Sequence, residues 1–190
     1  MTIAGREKDM YSEIERILIE RTRIAERIGE LACEIQQGFE DHARSTEIVL
    51  VPVLTGAIIF LADLVRQLPQ KMRINVLSAS SYPGKTRTSS GVLSVEEIAE
   101  DLTGRHVLIV DDILDSGSTI MAIRGMVEGR GAASVQACVL LRKQRSSALD
   151  TRCEYVGFDI PDEFVVGYGL DYDGYYRNLP DIAILKREDC

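Results

Sequence analysis

The sequence predicts an α/β fold, a mostly parallel twisted sheet flanked by helices, in a single domain of 190 residues. Three observations predict it. Short apolar runs of strand length alternate with segments of helical periodicity, as strand–helix–strand units require. The clearest run, Glu47 to Leu54, is apolar after its first residue, as expected for a strand covered on both faces. With 45% hydrophobic residues, a chain of this length buries about 70% of its unfolded surface and needs no disulfide or metal staple.

The elements follow in order. Ile14, Ile17, Leu18, Ile24, Ile28, Leu31 and Ile35 recur at three- and four-residue steps, which predicts one long amphipathic helix. Ser12 is its candidate N-cap and Gly38 its candidate stop. The strand at 47–54 comes next. Gly56–Leu68 returns to helical spacing and ends at Pro69, and Met72–Ser80 alternates as a strand. Ser81–Ser90 holds Gly, Pro, Ser and Thr with little to bury, which predicts a mobile loop. Arg105–Val110 reads as a strand, Thr119–Glu128 as a helix and Ser134–Leu141 as a strand. Glu154–Phe158 and Phe164–Tyr168 are shorter strand candidates. The core of the domain spans about 45–150.

Composition narrows the function. Lys and Arg number 22 against 30 Asp and Glu, a net charge of −8 that repels polyanions. The longest basic run is Arg142-Lys143-Gln144-Arg145, too short for a nucleic-acid stripe, so no nucleic-acid partner is expected. The apolar stretch from Glu47 to Phe60 contains Pro52 and Gly56 and falls short of a membrane span. The N-terminus is charged and has no apolar signal core, so a cytoplasmic protein is expected. Cys33, Cys138, Cys153 and Cys190 form no Cys-x-x-Cys pair, and with only His42 and His106 beside them they predict idle thiols rather than zinc ligands. Cys190 suggests no role.

Open parallel sheets bind ligands beyond the carboxyl ends of their strands. The loop after the strand ending at Val110 is therefore the most informative stretch. Asp111 and Asp112 follow the strand directly, Asp115 comes three residues later, and Ser116-Gly117-Ser118-Thr119 leads into a helix. The small residues and hydroxyls, with the positive end of the helix behind them, suit an anion. The carboxylates suit hydroxyls or a cation, since they only accept. A ribose 5-phosphate has both features. The plainer reading is an acidic turn in which Asp115 caps the helix. Three aspartates and a Ser-Gly-Ser-Thr tail on a buried strand weigh against it. An aspartate-nucleophile phosphatase would need Asp-x-Asp near the N-terminus, whereas the spacing here is Asp-Asp-x-x-Asp. Neither a Rossmann fingerprint nor a Walker loop occurs.

The stretch Val107–Thr119 resembles the phosphoribosyl-pyrophosphate signature of type I phosphoribosyltransferases, and the resemblance covers most of the chain after residue 45. Leu54-Thr55-Gly56 is similar to the family's pyrophosphate loop, and Ser81-Tyr82 to the start of its flexible lid. Phe164 to Tyr172 resembles the base-binding segment of the hypoxanthine-guanine branch, its most specific motif. The fold implied is the type I phosphoribosyltransferase fold. It adds a small hood, built from the N-terminal helix and part of 154–190. The reaction implied is purine salvage: ribose 5-phosphate moves from phosphoribosyl pyrophosphate to a 6-oxopurine, with Mg²⁺.

The resemblance also implies roles. Asp111 and Asp112 hold the ribose hydroxyls, directly or through Mg²⁺; relatives usually carry Glu-Asp there. Asp115 is the general base at purine N7, and Asp115, Ser116, Gly117, Ser118 and Thr119 cradle the 5-phosphate. Lys143 donates to the oxygen at purine C6, with Arg142 and Arg145 as alternatives in the same run. Phe164 stacks on the base and Val165 offers backbone groups to its edge. Asp171 takes a second Mg²⁺. Thr55, Gly56 and Arg177 meet pyrophosphate, Thr55 standing where many relatives have Lys or Arg. A cis peptide at Leu54–Thr55 is implied as well, and so is a homo-oligomer, dimer or tetramer. Two other readings are a nucleic-acid-binding regulator of the same fold, disfavoured by the acidic balance, and a uracil, orotate or adenine transferase, disfavoured by Phe164–Tyr172.

Overall fold

A computed structural model describes residues 10–39, 48–80, 94–95 and 101–186. The main sheet is built from β2 (Ile48–Leu54), β3 (Met72–Ile74), β4 (Leu77–Ser80), β5 (Ser94–Val95), β6 (His106–Leu114), β7 (Ser134–Lys143) and β8 (Tyr155–Ile160). Its order is β5-β4-β2-β6-β7-β8, with β3 also beside β2. All its pairings are parallel except β4 with β5. The expected mostly parallel sheet is what forms.

Helices α1 (Arg21–Phe39) and α2 (Ile58–Val65) cover one face, and α3 (Ser118–Gly129) the other. A short α4 (Ser146–Leu149) follows β7. Successive residues of β2 separate accordingly. Ile48 and Leu50 join the core with α1 and α2, while Val49 and Val51 join the core with Ile120, Ile123 and Val127 of α3. That is why the run at 48–54 is apolar without alternation. Met72–Ser80 forms two strands rather than one. Met72–Ile74 and Leu77–Ser80 lie along the same edge of β2, and the Asn75 N–H donates to Leu50 O at 2.8 Å between them.

The N-terminal region departs from the predicted helix. Residues Met10–Glu13 form a 3₁₀ turn, and Ile14–Ile19 is strand β1. It pairs antiparallel with β10 (Ile182–Leu185), which pairs with β9 (Val165–Val166), making a second, three-stranded sheet. The register of β1 shifts between Ile14 and Arg16 and again between Ile17 and Ile19. Two such irregularities in six residues break the two-residue period, so Ile14, Ile17 and Leu18 mimic helical spacing. Ser12 is therefore not the cap of α1. The cap comes from far along the chain: Asp181 Oδ1 accepts the Arg21 N–H at 2.8 Å, and its carboxylate takes the Arg21 guanidinium. Gly38 is not a stop either. It lies inside α1, where a Cβ would stand 2.0 Å from Tyr155 Oη, so the position keeps the helix close to β8.

The N-terminal contribution to the second sheet is thus a strand, while α1 packs on β8 and α2 of the main body. The second sheet has its own small core of Val166, Leu179, Ala183 and Leu185. Among the described residues, no helix is long and apolar enough to cross a membrane. The loop Ser81–Ser90, with Ser81 and Tyr82, and residue Cys190 lie outside the described residues.

Candidate active site

The carboxyl ends of β2, β6 and β7 meet at one rim. Strand β6 continues to Leu114, so Asp111 and Asp112 belong to the strand rather than to the loop after it, and Asp111 is registered beside Val139 of β7. Asp111 is 5% exposed. Its Oδ1 accepts the Asp112 N–H at 2.9 Å, and Asp112 Oδ1 accepts the Ile113 N–H at 2.8 Å. Burial, and then the neighbouring Asp112 carboxylate, push the Asp111 carboxyl well above the ordinary range. Burial raises Asp112 too, against hydrogen bonds and the positive charge of Arg177. Two adjacent carboxyls withdrawn from water favour whatever relieves their repulsion: a cation or hydroxyl donors.

Beyond β6 the chain turns into α3 through Gly117, whose φ of 84° is left-handed. A Cβ there would sit 1.9 Å from Thr151 Oγ1, so both conformation and space require glycine. Ser116 Oγ and Ser118 Oγ are 3.0 Å apart. Asp111, Asp115, Ser116, Gly117 and Thr119 line a cavity of about 60 Å³ at the start of the helix. Backbone donors and the positive helix end would suit this cup to an anion.

A second cavity, of about 220 Å³, opens beside it. Asp112, Asp115, Lys143, Phe164, Val165 and Asp171, from β6, β7 and the segment at β9, line it together. Phe164 is 50% exposed, with Tyr172 edge-on at 5.6 Å. A half-exposed aromatic at a cavity wall can stack on a planar ligand. Lys143 Nζ lies 3.5 Å from Asp115 Oδ1 and 3.3 Å from Asp162 Oδ1. Arg142 is held by Asp159 in two hydrogen bonds of 2.6 and 3.0 Å, which removes it as an alternative to Lys143. Arg145 reaches the site differently: its Nη1 donates to Asp115 Oδ1 at 2.7 Å. Asp162 was invisible to sequence reasoning, because it becomes relevant only when the ends of β7 and β8 are side by side.

The Leu54–Thr55 peptide is cis. Gly56 stands against Asp112, and Gly169 (φ 104°) stands against Gly56, where a Cβ would be 2.2 Å from Gly56 O. Arg177 Nη1 donates to Gly169 O at 2.6 Å, and its Nη2 lies 2.8 Å from Asp171 Oδ1. Asp171 in turn accepts the Gly174 N–H at 2.9 Å. Thr55-Gly56, Arg177 and Asp171 are therefore neighbours across the rim, although Gly56 and Arg177 stand 121 positions apart in the chain. Among the described residues no group of three or more His, Cys, Asp or Glu could hold a metal unaided. A Mg²⁺ carried by substrate phosphates needs only one or two carboxylates, and Asp112 and Asp171 on one cavity wall fit that requirement.

Residues 16–173 match the phosphoribosyl transferase domain. The chain is 40% identical over 180 residues to the hypoxanthine-guanine phosphoribosyltransferase of Streptococcus pneumoniae, covering 94% of this chain and 97% of that one. It is 40% identical over 167 residues to the hypoxanthine phosphoribosyltransferase of Salmonella typhimurium, covering 88% and 93%. Its structure superposes with a TM-score of 0.85 on a variant of the Trypanosoma cruzi hypoxanthine phosphoribosyltransferase solved with the product IMP, at 36% identity and covering 95% and 94% of the two chains. The identity and the coverage extend over nearly the whole chain, so it is the complete fold, and not one motif, that is similar. The chain belongs to the phosphoribosyltransferase family, in its hypoxanthine-guanine branch.

Proposed function

We propose that this protein transfers ribose 5-phosphate from phosphoribosyl pyrophosphate to a 6-oxopurine, hypoxanthine or guanine, releasing pyrophosphate and forming IMP or GMP. The observation that carries this reading is one cavity wall on which Asp115, Lys143 and Phe164 converge, immediately beside the anion cup at Ser116–Thr119.

The chemistry follows from the side chains. Backbone donors and hydroxyls of residues 116–119 bind the 5-phosphate and fix the sugar. Asp111 and Asp112 accept from the ribose hydroxyls, which lowers their mutual repulsion. Phe164 covers one face of the purine. Lys143 donates to the oxygen at C6; adenine has an amino group there, a donor set against a donor, which disfavours it. Asp115 accepts the N7 proton as positive charge develops on the imidazole ring during attack. Arg177 and the backbone of Thr55-Gly56 meet the departing pyrophosphate. Asp112 and Asp171, with the substrate's phosphates, would hold Mg²⁺, which would supply further neutralisation of the leaving group. We also place the protein in the cytoplasm as a homo-oligomer, on the strength of its composition and its family.

The test is a spectrophotometric assay with phosphoribosyl pyrophosphate and Mg²⁺, offering hypoxanthine, guanine, xanthine, adenine and uracil separately. Turnover of the 6-oxopurines, absent with adenine and uracil and abolished by chelating Mg²⁺, is the expected result. Turnover of adenine or uracil without hypoxanthine would overturn the assignment.

A further inference from the structure

Asp115, the base in the reading above, is not free to receive a purine. Its Oδ1 is 2.7 Å from Arg145 Nη1 and 3.5 Å from Lys143 Nζ. Both cations also face a second carboxylate. Arg145 Nε is 3.5 Å from Asp162 Oδ2, and Lys143 Nζ is 3.3 Å from Asp162 Oδ1. Two cations and two carboxylates thus form a closed square at the ends of β6, β7 and β8. The backbone fixes its corners. Arg145 N–H donates to Lys143 O at 2.8 Å and Gln144 N–H to Ile160 O at 2.8 Å, so the β7–α4 turn is tied to β8. Lys143 is the buried corner, with 12% of its side chain exposed. Arg145, Asp115 and Asp162 are each between 43% and 47% exposed, so they can rearrange.

We propose that Arg145 is a positioning residue that competes with the purine for Asp115, and that Asp162 is the acceptor that takes up Arg145 when a base arrives. The geometry makes the exchange short. Arg145 need only rotate from one carboxylate to another already within 3.5 Å, so its charge is never left without a partner. Lys143, shared by the same two carboxylates, turns its donor to the purine in the same rearrangement. An exposed ion pair contributes little, so the competition amounts to a factor of about two to five in affinity. The inference rests on the proposed role of Asp115; it gives Arg145 a role other than that of an alternative to Lys143 and adds Asp162, which no sequence motif contains.

Arg145 and Asp162 should act with opposite signs, and that separates this role from a structural one. At saturating phosphoribosyl pyrophosphate, Arg145→Met is expected to lower the KM for hypoxanthine about two- to five-fold, the change falling on KM rather than kcat. Asp162→Asn is expected to raise it by a similar factor, because both cations then rest on Asp115. Added KCl should lower the parent's purine KM by screening the Arg145–Asp115 pair, and should not do so in Arg145→Met. Calorimetric binding of IMP to the same variants gives the same ordering without turnover. A purine KM that is unchanged or raised in Arg145→Met, in a parent that is active, overturns this inference alone. A parent that forms no nucleotide from any base overturns it together with the proposed activity.

Discussion

A Cβ atom on residue 56 would lie 1.8 Å from Oδ2 of Asp112. Glycine at this position is thus a condition for the Asp112 carboxylate to stand where it does, and it couples the loop after β2 to the strand end of β6. The same loop is pressed from the other side by Gly169, so three segments distant in sequence share one packed contact.

Gly56→Ala is therefore expected to displace Asp112 and reduce kcat/KM about a hundredfold, the scale of a misplacement near 1 Å. Overpacking also costs about 1–3 kcal/mol of stability. Steady-state kinetics beside a thermal melt checks both. Near-parental activity would show that the contact relaxes harmlessly.

Asp115→Asn removes the proton acceptor but keeps a side chain of the same shape in a half-exposed position. We expect kcat to fall about 10²- to 10⁴-fold, the usual contribution of a positioned base. The melting temperature should stay close to the parent's, since the lost pair with Arg145 is exposed and the buried Lys143 keeps Asp162 as a partner. Stopped-flow measurement of the chemical step decides it. A small change in that step would assign the proton transfer elsewhere.

Asp181 holds the first turn of α1 through the Arg21 N–H and guanidinium. Burial alone would raise its carboxyl, but the Arg21 hydrogen bonds and charge outweigh it, and the folded value lies below the ordinary one. For a depressed carboxyl, the stabilisation is complete above the unfolded value near pH 4 and is lost as pH falls through the folded value. Asp181→Ala should cost about 1 kcal/mol at neutral pH, as other cap losses do. The gap between parent and variant should close as pH drops below about 4. Urea titrations at pH 7 and pH 3 measure it; a gap that widens in acid would contradict the sign.

Much of the fold is legible in the sequence because strands buried on both faces leave an unbroken apolar run. The stretches 48–54, 107–110 and 137–141 are of that kind, and their order with the intervening helices implies the parallel sheet. The N-terminal strand is not legible. Ile14–Ile19 is a strand because β10 presents it with an edge, and its irregular register hides the two-residue period. Strand β10 has only four residues, Ile182–Leu185, and stands out only once it is paired.

The amino-acid order by itself determined the chemistry available at the rim. Asp111, Asp112, Asp115 and the Ser-Gly-Ser-Thr turn are contiguous, so their spacing along one strand–helix junction is set locally. Only the tertiary structure decided which groups meet them. Arg177 reaches Asp171 and Gly169, Asp181 caps a helix 160 residues away, and Arg145 rather than Arg142 turns to Asp115. The physical reason is that ion pairs and close approaches between segments depend on distance in space. That distance exists only after the sheet has registered β7 against both β6 and β8.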